Sequence, residues 1–124
     1  MQWLADEAAA FGLTLTAVQL DQFVAYERIL LDWNGRINLT AIREPEAIRL
    51  RHFLDALTCA TVTGSLAGKR LVDVGTGAGF PGVPLKILSP TLELTLVESV
   101  AKKAGFLEAV VAELGLSDVT IVNE

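Results

Sequence analysis

A chain of 124 residues with 52% hydrophobic and 20% charged side chains can build one domain with a real core and is too apolar for disorder throughout. A net charge of −5 argues against broad, unspecific attraction to nucleic acid, which draws on neutralised phosphates, without excluding a local basic patch. One cysteine and one histidine leave no internal disulfide and no soft-ligand metal cluster, and no apolar run reaches the roughly eighteen residues of a membrane span, so no metal and no membrane partner are expected.

The first residues, 1–7, lack the basic stretch of a signal peptide, which points to a cytoplasmic protein. Trp3, Leu4, Ala8 and Phe11 predict a short amphipathic helix stopped by Gly12. Thr16-Ala17-Val18-Gln19 has the spacing of a capping box, opening a helix in which Leu20, Phe23, Val24, Leu30 and Leu31 share one face as far as Gly35. Tyr26 and Trp33 fit the core of that helix better than a base-stacking role. Between Arg28 and His52 the cations Arg28, Arg36, Arg43, Arg49 and Arg51 outnumber Asp32, Glu44 and Glu46, a pattern that suits a solvated helix face and an RNA-facing surface equally well. Pro45 suits a first helical turn, and Ile48, Phe53, Leu54, Leu57 and Ala60 form the apolar side of a third helix with a break near Arg51. Cys59 lies in that apolar helix and is expected to be a buried structural thiol. His52 and Asp55, three apart, share a face and are within reach of a hydrogen bond. Residues 64–68 read as a connector, closing an N-terminal helical region over 1–68.

From Lys69 the period changes. Strands over 71–74, 92–98 and 119–122 alternate with helices over 80–88 and 101–114, a βαβαβ unit with a parallel sheet and right-handed crossovers. Strand order 3-2-1 leaves the first strand, read as buried, at an edge where a second half normally pairs. The expectation is therefore the first half of a Rossmann-like domain over 69–124, in a truncated chain that binds its cofactor weakly or undetectably and is inactive by itself.

The stretch from Leu71 to Gly82 is a strand that breaks into a glycine turn and opens a helix. Gly77-Ala78-Gly79-Phe80-Pro81-Gly82 satisfies the dinucleotide pattern G-x-G-x-x-G, with Glu98 about twenty residues further on. The strand end at Val74 favours another register, since it makes Gly75 the first turn residue and puts Asp73 inside the strand. Asp73-x-Gly75-x-Gly77-x-Gly79 resembles the first motif of S-adenosylmethionine-dependent methyltransferases. Loop amides suit the carboxylate of that cofactor, Asp73 its ammonium, and Glu98 at the next strand end the two ribose hydroxyls. Ser99 and Val100 would flank the adenine and Phe80 would pack against the cofactor, with plain core packing an equal alternative for Phe80.

Asp73-Val74-Gly75-Thr76-Gly77-Ala78-Gly79-Phe80-Pro81-Gly82-Val83-Pro84-Leu85 closely resembles the motif of the ribosomal RNA small subunit methyltransferase G family. Trp33-Asn34-Gly35-Arg36-Ile37-Asn38-Leu39-Thr40, Arg51-His52-Phe53-Leu54-Asp55-Ala56-Leu57, and Glu98-Ser99 with Lys102-Lys103 and Phe106-Leu107 resemble the same family. The resemblance implies an α/β Rossmann-like methyltransferase fold and S-adenosylmethionine as cofactor. It also implies methylation of guanine N7 in small-subunit (16S) ribosomal RNA, with that RNA or the 30S particle as partner. Guanine N7 carries a free lone pair, so no catalytic base is sought in this chain. On this reading Arg36, Arg49, Arg51, Lys102 and Lys103 are candidates for RNA phosphates, and His52 and Asp55 for the substrate side. Another methyltransferase, a NAD-binding Rossmann fragment and a non-catalytic nucleotide-binding module are the alternatives.

Overall fold

The computed structural model describes every residue from Met1 to Glu124. Its first half is helical: α1 (Gln2–Ala10), α2 (Ala17–Asn34), α3 (Pro45–Ile48), a π-helical segment (Arg49–Leu54) and α4 (Asp55–Thr63). The second half is β1 (Arg70–Val74), α5 (Gly82–Leu88), β2 (Glu93–Val97), α6 (Ala101–Leu114) and β3 (Val119–Val122). This is the α/β arrangement with a parallel sheet that the alternating pattern predicts. No helix is long and apolar enough to cross a membrane.

The capping box at Thr16 and Gln19 forms in both directions and starts α2. The buried stripe of α2 differs from the predicted one. Val24 is 51% exposed, whereas Gln19, Phe23, Tyr26, Glu27, Leu30 and Asn34 turn inward. Aromatic packing and specific polar partners choose this face: Phe23 and Tyr26 meet Phe53 at ring distances of 5.1 and 5.2 Å, and each buried polar residue finds a bond.

The break near Arg51 is a π-helical segment. Its wider turn lets Ile48 and Phe53, five residues apart, both be fully buried, with Leu54, Leu57 and Ala60 continuing the same side. Helix α5 opens at Gly82, two residues later than the periodicity suggests, and the Phe80–Pro81 peptide is cis. Phe80 stays outside the helix because its ring packs on His52, Tyr26 and Phe53.

The sheet order is β1-β2-β3. Arg70 to Val74 pair in parallel register with Glu93 to Val97, and Leu94 to Val97 with Val119 to Val122. Leu94 and Leu96 of the central strand are buried, and β1 takes the edge position that strand order 3-2-1 predicts, which leaves it less buried than its apolar sequence suggested. It lies at the sheet edge with Leu71 and Asp73 half-buried, and with Val72 59% and Val74 75% exposed. One apolar core joins both halves, from Leu4, Phe23, Tyr26 and Phe53 to Val83, Leu96, Phe106 and Val110. Lys86 is buried as well, its Nζ donating to the carbonyls of Pro90 and Leu92 at 2.6 and 2.5 Å and so closing the turn after α5.

Candidate functional site

The glycine loop continues the strand pairing before it turns. The N–H groups of Gly75 and Thr76 donate to the Val97 carbonyl at 2.9 and 3.3 Å, which ties the loop to the end of β2. Gly75 (φ 70°) and Gly77 (φ 60°) need backbone that side chains rarely adopt, and a Cβ at either would meet nothing within 4 Å. Gly79 and Gly82 are glycines for a different reason. A Cβ at Gly79 would come within 2.7 Å of the Tyr26 hydroxyl and 2.8 Å of Val83, and at Gly82 within 2.8 Å of Leu96 and 2.9 Å of Asp73. The loop therefore presents one open face, at Gly75 and Gly77, and one face packed inward.

Two carboxylates frame the open face. Asp73 Oδ2 accepts from Thr76 Oγ1 at 2.7 Å and from the Gly82 N–H at 3.0 Å, pinning both ends of the loop. Glu98 is only 5% exposed, and it accepts from the Gly77 N–H through Oε1 and the Val100 N–H through Oε2, each at 2.9 Å. Asp73, Gly75, Gly77, Glu98, Ser99 and Val100 thus meet at the carboxyl ends of β1 and β2, where parallel sheets bind ligands. Gly79 and Phe80 turn toward the helices instead. Sequence reasoning assigned Tyr26 to the core and did not find its second role. Its hydroxyl donates to the Ala78 carbonyl across 52 residues of chain, and burial, aided by the Asp73 charge, raises its pKa so that it keeps the proton it donates.

On the helical side, Arg51, His52, Asp55, Cys59, Phe80 and Pro81 line a groove. His52 stacks on Phe80 at 4.3 Å with the rings 6° apart. Its Nε2 lies 2.8 Å from Thr40 Oγ1, so Thr40 and not Asp55 is its hydrogen-bond partner. Burial lowers the His52 pKa below 6.5, with the Asp55 charge opposing. Cys59 is half-buried along this groove, more open than a core thiol. Arg49 is held elsewhere, in a two-bond pair with Glu27 at 2.7 and 2.9 Å that raises its pKa and ties up its guanidinium. Arg36 is bonded to Asp32 at 3.0 Å, and Lys102 and Lys103 stand in the first turn of α6. No group of three or more His, Cys, Asp or Glu side chains is arranged to hold a metal ion.

The profile of the family described as rRNA small subunit methyltransferase G matches residues 19–124. A ribosomal RNA small subunit methyltransferase G of Roseiflexus sp. (strain RS-1) is 52% identical over 123 residues, covering 99% of this chain and 52% of the relative. The protein of that name from Roseiflexus castenholzii is 54% identical over 116 residues (94% of this chain, 49% of the relative). The one from Alkaliphilus oremlandii is 45% identical over 120 residues (97% and 50%). The chain spans about half the length of the curated relatives it matches.

Proposed function

The chain belongs to the rRNA small subunit methyltransferase G family, and on that premise we propose that it holds S-adenosylmethionine for methylation of guanine N7 in small-subunit (16S) ribosomal RNA. The observation that carries this reading is the meeting of Asp73 and Glu98 at adjacent strand ends around two glycines with open space beyond them. Bound there, the cofactor supplies a sulfonium methyl that guanine N7 takes with its own lone pair, so the chain needs no general base.

The residues present fit that cofactor. Glu98 uses one lone pair on each oxygen for Gly77 and Val100, which fixes the carboxylate and leaves further lone pairs for two ribose hydroxyls. Asp73 bonds the loop through Oδ2, leaving Oδ1 for an ammonium group. The backbone at Gly75 and Gly77 is open to a carboxylate, and Ser99 and Val100 are exposed beside Glu98 for the adenine. Phe80, packed on His52, Tyr26 and Phe53, holds the helix-side flank of the loop against the cofactor.

N7 methylation leaves a positive charge on the purine. A neutral His52 adds none against it, and Asp55 on the same groove offsets it. In this reading residues 1–68 brace the loop and residues 69–124 form the first half of the methyltransferase sheet. Because β1 is an edge strand, only one flank of the loop is walled, so donor binding by this chain alone is weak and turnover low or absent. An RNA substrate of this kind locates the protein in the cytoplasm.

Amide chemical shifts titrated with S-adenosylhomocysteine and, separately, with NAD test the proposal. Perturbation of Gly75, Gly77 and Val100 by millimolar S-adenosylhomocysteine, without a response to NAD, is the expected result. A response to NAD alone, or none to either, overturns it. With a chain extended to the length of its relatives and labelled donor, methyl recovered on an atom of small-subunit RNA other than guanine N7 refutes the acceptor assignment.

A further inference from the structure

A second cleft, separate from the His52 groove, opens where the end of α2 meets the start of α6, and its wall includes Val100, two residues beyond Glu98. Arg36, Arg43, Lys102 and Lys103 line it, and no carboxylate does. Four of the ten cations of a chain with fifteen acidic residues therefore converge on one concavity. Arg43 stood out in the sequence only as a member of the basic run between Arg28 and His52.

Bonds within the chain hold the walls of the cleft in place. Buried Asn34 accepts the N–H groups of Leu39 and Thr40 at 2.9 and 3.1 Å through Oδ1, folding residues 35–43 back onto the end of α2. Arg43 donates to the Asn34 carbonyl at 3.2 Å and to Asn38 Oδ1 at 3.0 Å, while Arg36 is held by Asp32 and lies 4.7 Å over the Trp33 ring. Lys102 and Lys103 occupy the first helical turn, where positive charge opposes the helix dipole, so helix stability does not account for them. Grouped cations repel one another, and an anion in the cleft relieves that repulsion.

We infer that this cleft is an RNA-backbone site, in which Arg36, Arg43, Lys102 and Lys103 hold phosphates of the substrate RNA beside the donor loop. Two positioned guanidinium forks suit phosphate oxygens, and four cations from two segments exceed what a single phosphate needs. The inference rests on the methyltransferase reading for its choice of RNA, and it adds where the backbone of that RNA lies.

The test is the salt dependence of binding to transcribed small-subunit ribosomal RNA, measured by fluorescence anisotropy on the 124-residue chain. A variant carrying Arg43→Gln, Lys102→Gln and Lys103→Gln is compared with one carrying Arg28→Gln, Lys69→Gln and Arg70→Gln. The second removes the same charge from exposed positions outside the cleft. The cleft variant should bind at least about tenfold more weakly at low salt, with the slope of log K against log salt flattened by about 2, as for three lost contacts to single-stranded phosphates. The control variant should keep the wild-type slope. Should the cleft variant fail to fold by circular dichroism, Lys102→Gln alone, at an exposed side chain, should flatten the slope by about 0.7. Equal losses in cleft and control variants, an unchanged slope in the cleft variant, or no RNA binding by the wild type each overturn the inference. The titration with S-adenosylhomocysteine keeps the two readings apart. Normal loop shifts with a wild-type slope in the cleft variant remove the RNA site and spare the donor site, whereas a flattened slope without loop shifts does the reverse.

Discussion

Glu98 is both the proposed ribose ligand and a structural acceptor, and its two roles predict a coupled loss. In Glu98→Gln one oxygen becomes an NH2 that faces a backbone N–H, so the Gly77 or Val100 donor loses its partner. The expected cost is about 1.5–3 kcal/mol in urea unfolding, because the bond is charge-assisted and the site nearly closed to water. The loop amides should also stop responding to S-adenosylhomocysteine, and a stable variant that still responds would sink the ribose assignment. His52 predicts an acid dependence. Its pKa is lowered in the fold, so the unfolded chain takes up the proton first as pH drops below 6.5. That contribution to stability is complete above 6.5 and is lost as pH falls through the lower, folded value. The stability of wild type relative to His52→Gln should therefore decline as pH falls below about 6.5, and a flat difference would refute the assignment. Asp73 and Glu98 were legible in the sequence because a strand end beside glycines marks them locally. The partners of His52 and Arg49 were not, since Thr40 and Glu27 lie 12 and 22 residues away in the chain.

The glycine loop has two kinds of glycine, and substitution separates them. Gly79→Ala forces a Cβ onto Tyr26 and Val83 at positive φ and should cost about 3 kcal/mol or more, whereas Gly77→Ala meets only backbone strain of about 1 kcal/mol. By denaturation Gly77→Ala should stay folded while losing its response to S-adenosylhomocysteine, because its methyl points into the open face. Comparable stability losses in the two variants would refute the division. Helix α2 makes a second contrast. Thr16→Ala removes one cap bond, worth about 1 kcal/mol. Gln19→Ala removes the reciprocal bond from the Thr16 N–H and also frees the carbonyls of Ile87 and Leu88, so about 2–3 kcal/mol is expected by the same measurement. The capping box was readable in four residues. The reach of Gln19 to the end of α5 was not, and its inward position is one reason the buried stripe is rotated from the predicted one, keeping Phe23 and Leu30 but exposing Val24.

Across the molecule, the helices of residues 1–68 and the sheet of residues 69–124 share one apolar core, with Tyr26, Phe53 and Phe80 at the seam beside the loop. Far-UV circular dichroism and tryptophan fluorescence should therefore report a single unfolding transition with one midpoint, and two separated transitions would show that the halves are energetically independent. Such coupling gives the helical half a part in the site, since it supplies the Tyr26 hydroxyl, the His52 ring and two of the cations beside the loop. The order and kind of the elements, the strand sequence of the sheet, and the Asp73 to Gly79 loop with Glu98 were determined by the sequence itself. Periodicity, caps and turn residues act within a few positions, and a parallel βαβ unit has little topological choice. Which glycines stay open, which cations remain free to meet an anion, and what holds the loop were decided only by tertiary structure. Each depends on a partner distant in the chain, as Tyr26 is from Ala78, and no local pattern encodes that distance.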